Sequence, residues 1–185
     1  SAGNYSGCNT LSSPGDYQES FSSAAHDSLR TIASFSSKGA SLFGHDPYTK
    51  PNISAPGVDI LSTFPGGWGY MQGTSMASPH SAGAVALLWS CAPLLIGQID
   101  DTFELLQSSA DPAPEGSCDA PPDEEGNYTY GYGYLNVLAA GGSVCQLGRL
   151  QGVVSDAVSG LPLEGVSIRL TDDYHNTFTT STIGE

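Results

Sequence analysis

The sequence predicts an α/β fold for residues 1 to about 140, followed by a separate β-rich segment from residue 148. Short β-like runs alternate with helical runs through the first region, as in a domain built on a largely parallel sheet. The run Ala82–Trp89 is almost wholly apolar and indicates a helix in the core. From Gly148 onward, apolar and polar residues alternate and threonines accumulate, which favours strands in a second domain.

Individual elements of the first region follow from hydrophobic periodicity and flanking turn residues. The predicted strands are Phe21–Ala25, Thr31–Phe35, Ile53–Ala55, Ile60–Thr63 and Gly69–Gln72. The predicted helices are Ser75–Cys91, Gln98–Gln107 and Tyr134–Ala140. The first helix is apolar nearly all round and is expected to run through the core. In the second helix, Ile99, Phe103 and Leu106 share one face, and acidic residues in the first turn complement the helix dipole.

The charge balance argues against several classes of partner. The 185 residues include 19 acidic and only 5 Lys or Arg side chains, so the formal net charge is −14. No basic stripe exists that could displace counterions from nucleic-acid phosphates or bind an anionic membrane surface. No apolar run reaches the length of a membrane span. The excess of acidic residues suits a secreted, extracellular protein kept in solution by its own charge.

Four cysteines are widely spaced and include no C-x-x-C pair, which argues against zinc. They are Cys8, Cys91, Cys118 and Cys145. Two disulfides in any of three connectivities are compatible with the sequence, and at least one bridge is expected. Cys91, at the end of the first helix, is equally compatible with a packed free thiol.

Two segments interrupt the regular pattern. Residues 111–126 are rich in proline and acidic residues and are predicted to form a solvated surface loop. A calcium site is the alternative there, but the segment lacks the spaced carboxylates of a D-x-D-x-D-G loop. Residues 141–147 are interpreted as a linker between the two domains.

The segment Gly73–Gly83 carries the clearest chemical signal. It places Ser75 between a glycine-led turn and the long apolar helix. In that position the backbone N–H of the serine and the positive end of the helix dipole both stabilise negative charge on an attacked carbonyl. The residues alone therefore suggest acyl transfer by an activated hydroxyl.

The same segment resembles the nucleophile motif of the subtilisin-like serine peptidases, G-T-S-M-A-x-P-H-V-x-G, and departs from it only at Ser81. Three further stretches resemble scaffold segments of that family in the same order: Ala33–Gly39, Lys50–Val58 and Tyr130–Val137. The resemblance covers residues 1–140. It implies a three-layer α/β sandwich with a mostly parallel sheet, and a secreted serine endopeptidase that needs no cofactor, with calcium left open.

Further site residues follow from the resemblance. The segment Ser1–Asn4 is similar to the family's A-A-G-N oxyanion segment, which makes Asn4 the second oxyanion donor beside the Ser75 backbone. Ala2 and Gly3 are expected in one wall of the specificity pocket, with Ser12 near its base. A small residue at position 12 leaves room for a bulky apolar side chain.

The acid and base of the family's Asp–His–Ser triad have no counterpart here, because neither the H-G-T-H nor the D-T/S-G pattern occurs. The four histidines, His26, His45, His80 and His175, are all interpreted as bystanders. The chain is therefore expected to be the C-terminal part of a catalytic domain whose N-terminal half lies elsewhere. Made alone, it is expected to be inactive and prone to aggregation.

Residues 152–166 resemble the opening of a carboxypeptidase-regulatory-like β-sandwich module. Only residues 148–185 remain for this module, too few to close a sandwich core. Two functions stay open. The first is a serine endopeptidase that acts on proteins or peptides, and the alternative is a non-catalytic scaffold or adhesion protein that keeps a peptidase fold.

Overall fold

The computed structural model describes residues 1–41, 48–118, 126–145, 153–171 and 177–182. The chain divides into two compact units, residues 1–146 and 147–185. The strands and helices of the first unit are β1 (Ser23–His26), β2 (Ile53–Pro56), β3 (Ile60–Phe64), β4 (Gly67–Met71), α1 (Thr74–Cys91), α2 (Ile99–Ser108) and α3 (Val137–Val144), with a short 3₁₀ helix at Pro93–Leu95. The second unit contains β5 (Ser167–Thr171) and β6 (Thr177–Ser181).

Parallel pairing is found between β1 and β2, with Ser23 opposite Ile53 and His26 opposite Pro56. Tyr134 extends this sheet through a parallel bridge to Ser54. The other two strand pairs, β3–β4 and β5–β6, are antiparallel. The described residues therefore form a mixed α/β structure, and one strand pair of three has the parallel pairing predicted for most of the sheet.

Strands β3 and β4 form a hairpin whose two-residue loop is Pro65–Gly66. Gly66 has a φ of +91°, which a type II turn requires at its second central residue and which glycine adopts without strain. The sequence predicts both strands but not their pairing. The hairpin leads through Gln72 directly into the start of α1.

Helix α1 begins one residue earlier than predicted and ends where predicted, but its environment differs from the prediction. Its buried residues, Ala77, Ser81, Ala84 and Leu88, recur at helical spacing and form a single inner face. Leu87, outside that face, is 61% exposed. The expectation of a helix buried all round is wrong for the described structure, because strands β1 and β2 and helix α3 cover only one side.

The core lies on that inner face, in two clusters of small and aliphatic side chains. One cluster joins α1 to the parallel strands and comprises Ala25, Ala33, Ala55 and Ala77. The other joins α1 to α2 and α3 and comprises Ala84, Leu88, Leu106 and Ala140. The small alanine side chains of the first cluster let α1 pack closely against β1 and β2.

Helices α2 and α3 form as predicted, but their first and last residues differ from the prediction. In α2, Leu106 is fully buried and Phe103 packs on Phe21 with ring centroids 4.8 Å apart, but Ile99 is 46% exposed. Helix α3 begins three residues later than predicted because the Asn136 side chain accepts a hydrogen bond from the Ala139 N–H and caps the first turn. It then continues to Val144, so residues 141–144 of the predicted linker are helical.

The strand predicted at Thr31–Phe35 is wrong. Ile32 makes an isolated antiparallel bridge to His26, and the Ser36 N–H then donates to the Ala33 carbonyl in a turn. The backbone N–H of Ala33 donates to the Ala25 carbonyl at 2.8 Å. This segment therefore touches the edge of β1 at a few points and turns away.

All four cysteines are paired, as Cys8–Cys118 and Cys91–Cys145. The first bridge links the loop after Asn4 to the acidic segment, and the second links the end of α1 to the end of α3. The alternative of a free Cys91 thiol is therefore wrong.

In the second unit, β5 and β6 pair from Ser167 with Ser181 to Thr171 with Thr177. A separate bridge joins Ser155 to Pro162 across a turn that the Asp156 side chain stabilises. Of the helices within the described ranges, none combines the length and apolar character needed to cross a bilayer. Across these same residues, no three His, Cys, Asp or Glu side chains cluster as a metal site requires.

Candidate active site

Ser75 is the second residue of α1 and is exposed to solvent. Gly73 caps the helix, and its N–H donates to the Gly57 carbonyl at 2.8 Å, which ties the start of α1 to the end of β2. Because Ser75 lies in the first turn, its backbone N–H has no intrahelical acceptor and is free to donate elsewhere. The Ser75 backbone N–H therefore lies at the positive end of the helix dipole, and both favour a negative charge placed there.

The carboxamide of Asn4 is bound to the residue next to Ser75. Its Oδ1 accepts hydrogen bonds from the backbone N–H and from the hydroxyl of Thr74, each at 3.0 Å. These two bonds fix which end of the amide is which, because Oδ1 must point at the donors. Nδ2 is left to donate, and no acceptor for it exists among the residues that the structure describes.

The two predicted oxyanion donors converge beside Gly73. A side-chain carbon placed on Gly73 would stand 3.5 Å from Asn4 Nδ2 and 3.7 Å from the Ser75 backbone nitrogen. Gly73 has a φ of +151°, so glycine also suits the backbone there. A small space bounded by two N–H donors is therefore open directly beside the serine.

The backbone on either side of Asn4 is also fixed. The Gly3 N–H donates to the Thr74 hydroxyl at 3.1 Å, and the Gly3 carbonyl accepts from the Ser37 N–H at 2.9 Å. The Tyr5 N–H donates to Ser37 Oγ at 3.1 Å. Both Thr74 and Ser37 are fully buried side chains.

The three predicted pocket residues lie together. The Ser12 N–H donates to the Ala2 carbonyl at 2.9 Å, and Ser12 Oγ would clash with any side-chain carbon built on Gly3. Gly3 has a φ of +111°. Only glycine allows Ser12 to approach so closely, which explains the residue type at position 3. The side chain of Ala2 is fully buried behind them.

The described histidines form no pair with a carboxylate. His80 lies in α1 with Nδ1 2.8 Å from the Met76 carbonyl oxygen. His26 is buried at the end of β1 with Nδ1 2.8 Å from the backbone oxygen of Asp27. The Asp27 carboxylate instead accepts from two backbone N–H groups of the following turn. His45 and His175 lie outside the described residues.

Burial lowers the pKa of His26 from its ordinary value of 6.5. The His26 ring packs edge-on against Tyr134, with centroids 5.2 Å apart. Arg30 lies over the Tyr134 ring, at 5.0 Å from its centroid, and forms an ion pair with Asp111 at 2.8 Å. This cluster joins β1 to the segment before α3. Asp111, the first residue of the segment predicted to be a solvated loop, is therefore a structural anchor.

Sequence reasoning missed two residues of the site, Thr74 and Ser37. Thr74 lies inside the nucleophile motif, and Ser37 lies in the segment Ala33–Gly39, which the resemblance marks as scaffold. The signal is present for Thr74, because a threonine beside the serine supplies both a backbone and a side-chain donor. For Ser37, only the folded structure brings the two segments together.

An exposed serine at a helix start beside a carboxamide donor matches two of the groups used in acyl transfer through a serine, the nucleophile and an oxyanion donor. Comparison with known proteins agrees. The chain belongs to the subtilase family, whose model matches residues 1–133.

Individual relatives match the same region. The chain is 38% identical over 155 residues to bacillopeptidase F of Bacillus subtilis (strain 168), covering 80% of the chain and 10% of that protein. It is 36% identical over 133 residues to subtilisin DY of Bacillus licheniformis, covering 71% of the chain and 40% of that protein. Among solved structures, the prenylagaramide maturation protease PagA superposes with a TM-score of 0.58 at 31% identity, covering 75% of this chain and 47% of PagA. The chain thus spans less than half the length of each of these proteins.

Proposed function

We propose that this chain supplies the nucleophile and the oxyanion donors of a serine endopeptidase that hydrolyses peptide bonds in proteins. The observation that carries the proposal is the pair of hydrogen bonds from Thr74 to Asn4 Oδ1. They leave Nδ2 as a donor beside the Ser75 backbone N–H. Family membership over residues 1–133 supports the same reaction.

In the proposed reaction, a general base takes the proton of the Ser75 hydroxyl as Oγ attacks the carbonyl carbon of the scissile peptide bond, and that proton later passes to the leaving amine. Negative charge develops on the carbonyl oxygen, and it is stabilised by donation from Asn4 Nδ2 and the Ser75 N–H. The amine product leaves with a proton from the general base, and an acyl-enzyme remains on Ser75. Water then attacks the acyl-enzyme and releases the second product.

The general base and its orienting acid are proposed to come from outside these 185 residues. Neither described histidine pairs with a carboxylate, and the sequence lacks both family motifs for these groups. The chain covers only 40% of subtilisin DY and 47% of PagA. The proposed partner is therefore an N-terminal half of the same catalytic domain, which completes a largely parallel sheet in a three-layer sandwich.

Substrate selection is proposed to involve Ala2, Gly3 and Ser12. Their mutual contacts form a short wall that begins directly before Asn4. The small side chain at position 12 leaves space for a bulky apolar residue on the acyl side of the cleaved bond. Replacement of Ser12 by a larger residue is expected to raise KM for such substrates first.

The remaining assignments are proposed on the same basis. Residues 1–140 form the peptidase part, 141–147 the connection, and 148–185 the start of a carboxypeptidase-regulatory-like module, which the antiparallel pair β5–β6 supports. The acidic composition and the two disulfides support a secreted, extracellular protein. The proposed reaction needs no cofactor. The alternative of a non-catalytic scaffold is not favoured, because Ser75, Asn4 and the bonds that orient Asn4 are all present.

The test uses the full-length protein that contains this chain. A fluorophosphonate probe is expected to label it, and Ser75→Ala is expected to abolish both labelling and casein hydrolysis. Ser78→Ala, one turn further along α1, is the matched control and should keep both. Labelling that persists in Ser75→Ala would reject Ser75 as the nucleophile. Casein hydrolysis that persists in Ser75→Ala would reject the proposed function.

A further inference from the structure

Ser37 holds the backbone on both sides of Asn4, although the sequence gives it no chemical role. We propose that Ser37 is a positioning residue, which fixes the oxyanion donor Asn4 through the peptide groups before and after it. This inference rests on the proposed function. It concerns a residue 32 positions from Tyr5 in sequence, within the segment Ala33–Gly39.

Two hydrogen bonds carry the inference. The Ser37 N–H donates to the Gly3 carbonyl at 2.9 Å, and Ser37 Oγ accepts from the Tyr5 N–H at 3.1 Å. The carbonyl of Gly3 precedes Asn4 and the N–H of Tyr5 follows it, so one residue brackets the whole of Asn4. Ser37 itself has no exposed surface, and its bond to the Tyr5 N–H is part-buried.

Asn4 needs such an anchor because its neighbours supply little rigidity. Gly3 has a φ of +111° and lacks a side chain that could restrict it, while Tyr5 is 77% exposed. Thr74 fixes the far end of the side chain by binding Oδ1. Ser37 fixes the near end, the backbone. With both ends held, Nδ2 has one position relative to the Ser75 N–H.

Ser36 provides a matched control inside the same turn. It is also fully buried, and its hydroxyl also accepts from a backbone N–H, that of Ala25 at 3.2 Å. That bond supports strand β1 and not the Asn4 segment. Replacing either serine by alanine removes the acceptor of one backbone N–H, in a buried bond at Ala25 and in a part-buried bond at Tyr5. A purely structural role therefore predicts that Ser36→Ala costs at least as much as Ser37→Ala.

The prediction separates turnover from stability. Ser37→Ala keeps the bond to the Gly3 carbonyl but frees the Tyr5 N–H, so Asn4 gains freedom to move. Since an error of about 1 Å in a positioned group can cost about 10²-fold in rate, we expect kcat to fall roughly tenfold with a smaller change in KM. Ser36→Ala is expected to lower Tm at least as much as Ser37→Ala and to keep kcat within about twofold of the parent.

A double-mutant cycle in the full-length protein tests whether Ser37 acts through Asn4. Fluorophosphonate titration counts active sites, so kcat refers only to folded enzyme. Asn4→Ala should lower kcat by about 10²–10³-fold, which is the known cost of removing one oxyanion-hole donor from subtilisin. In that background Ser37→Ala should cost less than about twofold more, because the group it positions is absent.

Three results would overturn the inference. The first is an unchanged kcat in Ser37→Ala. The second is a fall in kcat from Ser37→Ala that is equally large with Asn4 and with Asn4→Ala. The third is an equal fall in kcat in Ser36→Ala. If Ser37→Ala does not accumulate as folded protein, Ser37→Cys carries the test, since sulfur is a weak acceptor of similar size. If the parent protein shows no hydrolysis that depends on Ser75, the proposed function is rejected instead.

Discussion

The hydroxyls of Ser23 and Ser81 lie 2.7 Å apart in the core and join strand β1 to helix α1. Position 81 is where the nucleophile segment departs from the subtilisin-like motif, which has valine. The hydrogen bond accounts for this departure, because a buried Ser23 hydroxyl requires a partner and a valine provides none. The substitution therefore concerns packing behind the site and leaves the groups around Ser75 in place.

The first prediction tests that pairing. Ser81→Val should lower the free energy of unfolding by about 1–3 kcal/mol, because it leaves the Ser23 hydroxyl buried without a partner. Adding Ser23→Ala should recover most of the loss. Denaturant unfolding of the two single variants and the double variant gives the coupling energy directly. Simple additivity would contradict the pairing.

The second prediction concerns the Thr74 hydroxyl. Thr74→Val keeps the backbone N–H bond to Asn4 Oδ1 but removes the hydroxyl bond and the acceptor of Gly3 N–H. We expect kcat to fall several-fold, less than in Asn4→Ala, with KM less affected. Thr102→Val is the control, because that buried hydroxyl also makes two bonds, to Gln98 and Trp89, away from the site. Equal kcat values for the two variants would argue against orientation of Asn4 by Thr74.

The third prediction concerns the buried ammonium of Lys50, which donates to the Ser20 carbonyl and to Asn52 Oδ1. Burial lowers the pKa of Lys50 to about 8 from 10.5. Between those values the unfolded chain binds more protons than the folded one, so raising the pH through this window should stabilise the fold. The gain is on the order of 3 kcal/mol at most.

Lys50→Met should remove this rise in stability between pH 8 and 10.5, as measured by urea unfolding at several pH values. Lys38→Met is the control, because it removes the same charge from a residue that is only half-buried. A parent protein whose stability falls or stays level relative to Lys50→Met across the window would refute the assignment.

The fourth prediction follows from the lowered pKa of His26, which burial causes. As the pH falls below 6.5, the unfolded chain takes up a proton before the folded one does, so stability should decrease. The charged groups that face His26 are Asp27, Arg30 and His80, and Arg30 and His80 oppose its protonation. His26→Phe keeps the ring contact with Tyr134 and should flatten the decrease. Thermal melts between about pH 7 and 5 measure the difference.

Helix α1 was predictable within one residue at its start and to the residue at its end, because Gly73 and a long apolar run mark it locally. Its environment was not predictable from composition. Ala82, Ala86 and Leu87 are apolar yet exposed in the described structure. Periodicity among apolar residues cannot separate an inner from an outer face when both faces are apolar.

The strand prediction for Thr31–Phe35 was wrong for a different reason. Its residues have strand propensity, but Ser36 and Ser37 bond to segments distant in sequence, through Ala25 and Tyr5, and these contacts turn the chain away. The end of α3 also depends on a distant contact, since Cys145 is bridged to Cys91. Local propensity carries no information about such partners.

For the candidate site, the motif predicted Ser75 and the order of segments predicted Asn4, and the structure brings the two together beside Gly73. Their catalytic roles stay predictions. The supporting contacts of Thr74 and Ser37 could not be inferred, because hydrogen bonds between residues 70 and 32 positions apart have no local signature.

The Cys8–Cys118 bridge spans 110 residues and encloses Ser75. A single cut at any peptide bond between the two cysteines would leave both fragments covalently joined. On a non-reducing gel, a peptidase nicked by its own activity would therefore migrate as one band, and only a thiol in the sample buffer would reveal the break.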